Sequence, residues 1–175
     1  MDLSENDLRA AIKSLSDIVA PAIDPKDALA NEQLRLVIDY LRFLRERIDL
    51  LGHRDRLELR HQVDAARALL ALNVADADTA AALEEATQAG AAELARADSA
   101  PGGCKRAAAA VAAAIRDGIR RSQQWPQAAR ARWESCVIET SRERIAFEQS
   151  WYLPLGFEPS PAEVRPVREF FPGAS

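Results

Sequence analysis

Glu58 and His61, in the string ELRH, are the residues of this chain best spaced to hold a metal. A Glu-x-x-His pair puts a carboxylate and an imidazole on one helical face, and carboxylate-bridged di-iron bundles use two such pairs with two further inward glutamates. No second pair occurs, and the only other histidine is His53. Glu58 also follows Asp55 at the spacing of a capped helix start, so no metal is expected. The string APGGCKR offers different chemistry. Gly102, Gly103, Lys105 and Arg106 would put mobile backbone, free N–H groups and two cations at a helix start, where an anion such as a phosphate could sit and the Cys104 thiol could be activated. It lacks the preceding strand and the GxxxxGK[ST] spacing of a phosphate-binding loop, so a plain turn with solvated Lys105 and Arg106 is the favoured reading. Glu139 and Glu143, one helical turn apart, could pass for an acid/base pair. They are flanked by Arg142 and Arg144, with no nucleophile or oxyanion turn beside them, and read as surface charge. No catalytic residue and no cofactor is assigned.

The segment RFLRERIDLLGHRDRLELRH carries six arginines and four acids. Such a face could grip carboxylates or phosphates with paired N–H groups, or it could be a solvated face whose charges pair one turn apart; the second reading is favoured.

These residues must be positioned by helices. Leu8, Ile12, Leu15 and Val19 recur at helical spacing behind Ser4, with Leu3 and Leu8 spaced as a hydrophobic staple, which predicts a first helix over residues 4–20 stopped by Pro21. Asp24 as cap and Pro25 as first residue predict a second helix running to Gly52, with Leu29, Val37, Tyr40, Leu41, Leu44, Ile48 and Leu51 as its apolar stripe. Gly52 is expected to end it in the left-handed conformation, and a third helix starts at Asp55 and reaches about residue 75 with Leu57, Ala65, Leu69 and Leu72 inside. A fourth helix, capped by Asp76 or Asp78, covers 79–97, and a fifth covers 103–123 after the DSAPGG loop. The fourth region is acidic and the fifth basic, so the two are expected to pack together. Trp125-Pro126 resets the chain, and a sixth helix carries Trp133, Val137, Thr140, Phe147 and Trp151 inward before Pro154. The expected fold is all-α: an antiparallel bundle of about six helices over residues 1–153, with an extended arm over 154–175.

Net charge is −4, with 27 acids against 23 bases, so no global field attracts nucleic acid or an anionic membrane. No apolar run reaches membrane-spanning length, and the first residues lack a signal peptide's pattern, which makes a cytoplasmic location the expectation. The two cysteines, Cys104 and Cys136, are then expected to stay reduced.

The arm is the anomaly. It holds five of the nine prolines, and its Phe157, Phe170 and Phe171, with Trp151 and Tyr152 just before it, are too apolar for a solvated end. Either it folds back on its own chain or it docks on another subunit, with the aromatics as anchors.

The stretches LRAAIKSLSDIVAPAI and ALANEQLRLVIDYLRFLRERID, about residues 8–50, resemble a bacterial family of small helical proteins that accompany aminoglycoside-phosphotransferase-like kinases of hydroxyacyl-CoA thioesters. The resemblance implies an accessory subunit and carries no catalytic motif. The functional expectation is therefore a non-catalytic interaction subunit. Its partner is another protein or a sister chain, met through Tyr40, Arg42, Arg45 and the arm aromatics. Two alternatives stand beside it: a small-molecule-binding or catalytic bundle with a polar site between the second, third and sixth helices, where His61 and an inward carboxylate converge, and a homo-oligomeric scaffold.

Overall fold

Proline placement and capping set the element boundaries. The computed structural model describes residues 3–98 and 100–171. Among them are six helices and no strand: α1 Leu3–Ser14 continued by a π turn Leu15–Val19 and a last turn Ala20–Ala22, α2 Ala28–Arg47, α3 Leu51–Ala71, α4 Ala77–Ala95, α5 Gly103–Ser122 and α6 Gln127–Tyr152. The chain is all-α, as expected. The staple between Leu3 and Leu8 and the Ser4 cap rest on side chains outside those described. Pro21 does not stop α1, which runs through it to Ala22. A straight α-helix would press the proline ring on the carbonyl one turn back, and the wider turn before it, closed from the Ala20 N–H to the Leu15 carbonyl, relieves that approach.

The second helix starts at Ala28 rather than Pro25. Asp27 is its cap, accepting from the Ala30 N–H at 3.0 Å, while Asp24 turns the preceding loop by accepting from the Lys26 N–H at 2.9 Å. Gly52 does not end a helix either. Arg47, Ile48 and Leu51 keep right-handed helical backbone through a single 3-10 turn, and Gly52 falls inside α3. No left-handed glycine turn is made there. The first such residue is Asn73 (φ 51°), which closes the end of α3 where Asn is tolerated.

Contacts divide the chain into two compact units, residues 1–51 with 151–163, and 52–150 with 164–175. In the first unit α1 packs on α2. Buried Ile12 comes from α1; from α2 come buried Ile38 and half-buried Leu34 and Leu41 on one side. On another side Phe43 stacks on Tyr152, ring centroids 5.9 Å apart, and meets Trp151 edge-on at 6.5 Å. The stripe expected from the sequence is thus only partly buried. Leu29, Val37, Tyr40 and Leu51 are exposed, whereas Ile38, Phe43 and Arg47 are covered. Because α2 is apolar on more than one side, its periodicity does not select the inner one.

The second unit is a helical bundle of α3 to α6. Leu59, Val63, Ala66 and Leu69 of α3 meet Leu83 of α4, Cys104, Ala108, Val111 and Ile115 of α5, and Trp133 of α6. Two glycines allow this closeness. A Cβ on Gly90 would lie 2.8 Å from Val63, and one on Gly118 would lie 2.6 Å from the Trp133 ring. The acidic α4 and basic α5 do pack together, yet on small and apolar side chains. Arg121 reaches across, 3.8 Å from Asp78 and 4.0 Å from Asp76, in solvent, while the other charges of the two helices lie mostly on exposed faces.

The arm is a series of 3-10 turns, Leu153–Leu155, Pro161–Glu163 and Val167–Phe170. Its end returns to its own chain: Phe170 and Phe171 meet Phe147 edge-on at 5.3 and 5.7 Å, Phe171 lies beside His53, and the Arg165 guanidinium covers Phe170.

Candidate functional site

Three helices of the second unit converge on a polar cleft of about 230 Å3. Helix α3 supplies His61 and Gln62, adjacent on the side of the helix that leaves the Leu59–Val63–Leu69 core. Helix α5 supplies Arg116, one residue beyond buried Ile115, and α6 supplies Thr140, Ser141 and Arg144. The helix periodicity that buries Ile115 necessarily turns Arg116 outward to the rim.

His61 is the chemical centre of this group. Its Nδ1 is buried with no hydrogen-bond partner, and its ring meets Phe147 edge-on at 6.5 Å. Burial pushes its pKa down, against the pull of the Glu58, Glu143 and Asp64 carboxylates, while Arg144 pushes in the same direction as burial. The imidazole is therefore neutral at pH 7. The Glu58 carboxylate is turned to its own helix, accepting from Gln62 Nε2 at 3.0 Å, and no group of three or more His, Cys, Asp or Glu able to hold a metal occurs among the described residues. Thr140 Oγ1 donates to the Cys136 carbonyl and Ser141 Oγ to the Val137 carbonyl, at 2.8 and 2.7 Å, so both hydroxyls offer lone pairs to the cleft. The polar site expected around His61 thus lies among the third, fifth and sixth helices, with arginines in place of the converging carboxylate.

The first unit presents a different kind of surface. On α2, residues 29, 36, 40, 43 and 47 fall along one side at 3.6 residues per turn. Trp151 and Tyr152 cover the last part of this line at Phe43, and Arg47 donates from Nε to the Trp151 carbonyl at 3.2 Å with its guanidinium 5.7 Å from the Trp151 ring. The first part is open: Leu29 is 71% exposed and Tyr40 52%, with Leu36 and Val37 also exposed, and Ile18 of the π turn 69% exposed in the same unit. Beside the line runs a chain of ion pairs in which Arg35 forks onto Glu32 at 2.7 and 2.9 Å and reaches Asp39 at 2.9 Å, while Arg42 reaches Asp39 at 3.1 Å. The hydrogen-bonded fork lowers the Glu32 pKa and raises that of Arg35.

The sequence-predicted residues separate accordingly. Tyr40, Tyr152 and Phe157 are exposed, Phe157 at 82%; Arg45 is half-buried and Arg42 is engaged with Asp39. Trp151, Phe170 and Phe171 are buried against their own chain. At the glycine turn Gly102 is left-handed (φ 71°), and Arg106, expected to be solvated, folds back over the turn to donate from Nη1 to the Pro101 carbonyl at 3.2 Å. Cys104 is buried in the core beneath it, with Lys105 exposed. Glu139 pairs with Arg142 at 3.0 Å and Glu143 with Arg165, as surface charge. Sequence reasoning missed Arg116, which carries no local signal, and Arg47, which lay inside a segment read as a solvated face.

No family model, curated protein or solved structure matches the chain. Among the described residues, no helix is long and apolar enough to cross a membrane.

Proposed function

We propose that this protein is a non-catalytic interaction subunit that binds another protein through the open side of α2, in the cytoplasm. The observation that carries the reading is the run of exposed Leu29, Leu36, Val37 and Tyr40 on one helix, continuous with a line that Trp151 and Tyr152 already cover at Phe43. Contiguous apolar surface rimmed by paired charge is the composition of a protein contact, with the aromatic as anchor and the ion pairs as rim. The resemblance over residues 8–50 falls on this same unit and supports, as partner class, an aminoglycoside-phosphotransferase-like kinase or another acyl-CoA enzyme.

Light scattering of the purified full-length chain over a range of concentrations, followed by affinity capture with the wild type and with Leu36→Glu/Tyr40→Glu, tests this. Both positions are exposed, so the double variant should keep its helical circular dichroism. The expected result is a kinase or acyl-CoA enzyme captured by the wild type and lost with the variant. Equal capture by both proteins rejects the surface, and a stable dimer dissolved by the variant assigns it to a sister chain and a scaffold role.

A further inference from the structure

The geometry points to a second site, independent of the α2 surface: the cleft between α3, α5 and α6 binds a compact oxyanion, a carboxylate or a phosphate, with Arg116 as its charge partner and His61 and Arg144 beside it. A charge inventory of the cleft carries this. The charged groups that act on His61 are Glu58 and Asp64 on α3 and Glu143 and Arg144 on α6, and Arg116 of α5 lines the same cleft. Each carboxylate is already engaged: Glu58 accepts from Gln62, Asp64 from Arg67 at 3.5 Å, and Glu143 holds Arg165. Arg144 is matched by Glu148 at 2.8 Å. Arg116 has no carboxylate within ion-pair distance among the described residues, although Asp117 lies next to it in sequence and pairs instead with Arg120. The cleft therefore keeps one uncompensated guanidinium, whose planar fork suits carboxylate and phosphate oxygens.

The neutral imidazole has one N–H to donate. A buried N–H without a partner is far rarer than an unfilled acceptor, which assigns the neutral His61 proton to Nε2 and leaves Nδ1 as the buried lone pair. The Thr140 and Ser141 oxygens, both already donating to backbone, suit a neighbouring hydroxyl or ammonium on the same ligand. At about 230 Å3 the cleft lies below the roughly 300–1,000 Å3 of drug-sized pockets, so the ligand is small.

With two histidines in the chain, the test is direct. The imidazole C–H resonances of the full-length protein are followed while sodium phosphate, and in a second arm sodium acetate, is titrated at constant ionic strength to about 50 mM, enough to fill even a millimolar site. The expected result is a saturable shift of His61 with His53 unchanged, and a loss of affinity of roughly tenfold or more in Arg116→Ala, with Arg106→Ala behaving as wild type. Whichever arm saturates at lower concentration names the oxyanion. Binding an anion beside His61 should also raise its pKa, so affinity should rise as pH falls. No saturable shift in either arm, or an equal shift in Arg116→Ala, overturns the proposal. Arg116 is exposed, so its variant folds, and Arg116→Lys, which keeps charge without the fork, should bind between the two.

Discussion

Arg47 joins two segments that the sequence separates by more than a hundred residues. Its Nε donates to the Trp151 carbonyl, and its guanidinium lies near both the Trp151 and Phe43 rings. Desolvation lowers its pKa, with Glu46 at 3.7 Å opposing the shift. Truncation removes a charge-assisted bond in a buried setting, and Arg47→Ala should destabilise the fold by about 2 kcal/mol in urea denaturation. Arg47→Lys should recover little of that, since an ammonium has neither the Nε donor nor the plane. Asp76 makes a comparable junction. It accepts from the Thr79 N–H as the α4 cap, from the Thr79 hydroxyl and from Trp125 Nε1, each at 2.9 Å. The Thr79 backbone bond is the main cause of its lowered pKa, with the other two hydrogen bonds and Arg121 assisting. Because the folded pKa lies below the unfolded one, its contribution is present above the usual carboxylate range near 3.8 and disappears as pH falls through the folded value. Asp76→Asn, which keeps a cap but cannot titrate, should lose less thermal stability than wild type between about pH 4 and pH 2; equal losses would remove Asp76 from the acid response.

At the scale of elements, the arginine-rich composition has a structural use. Arg47, Arg56 and Arg132 donate to the carbonyls of Trp151, Leu94 and Leu72, which lie at the C-terminal ends of α6, α4 and α3. Carbonyls in the last turn of a helix generally lack the next N–H of the ladder, and the negative end of the helix favours a cation there. The glycines decide how closely the second unit packs. Ala normally outranks Gly in a helix by about 1 kcal/mol, yet Gly118→Ala should destabilise by about 1–3 kcal/mol because its Cβ would enter the fully buried Trp133 ring. Gly52→Ala, where nothing lies within 4 Å, should instead be neutral or stabilising by up to about 1 kcal/mol. Thermal melts of the two variants should therefore move in opposite directions. The start of α5 was legible because the glycine turn acts locally, whereas α4 runs from Ala77 to Ala95, two residues earlier than expected at each end, because Asp76 rather than Asp78 is its cap. The end of α1 and the passage from α2 to α3 were misread because a π turn carries Pro21 and because Gly52 has no need of its left-handed freedom.

For the whole molecule, the arm is a structural part of its own chain. Cutting after Glu163 removes Phe170 and Phe171 and bares Phe147, and at roughly 1.5–3 kcal/mol per buried Phe the second unit should lose about 3 kcal/mol or more. A urea midpoint unchanged by the truncation would contradict that packing. Phe157, in the first unit, is the most exposed of the arm aromatics. By itself the sequence determined the all-α class, the approximate number of helices and the inward side of α6, and narrowed the α4 cap to Asp76 or Asp78, because helix formation, capping and proline interruption act over a few residues. Only the tertiary structure decided which side of α2 is covered, that the arm end returns to Phe147, and that His61, Arg116 and Arg144 share a cleft. Those outcomes depend on side chains tens of residues apart competing for the same apolar surface, and no local periodicity encodes which of them meet.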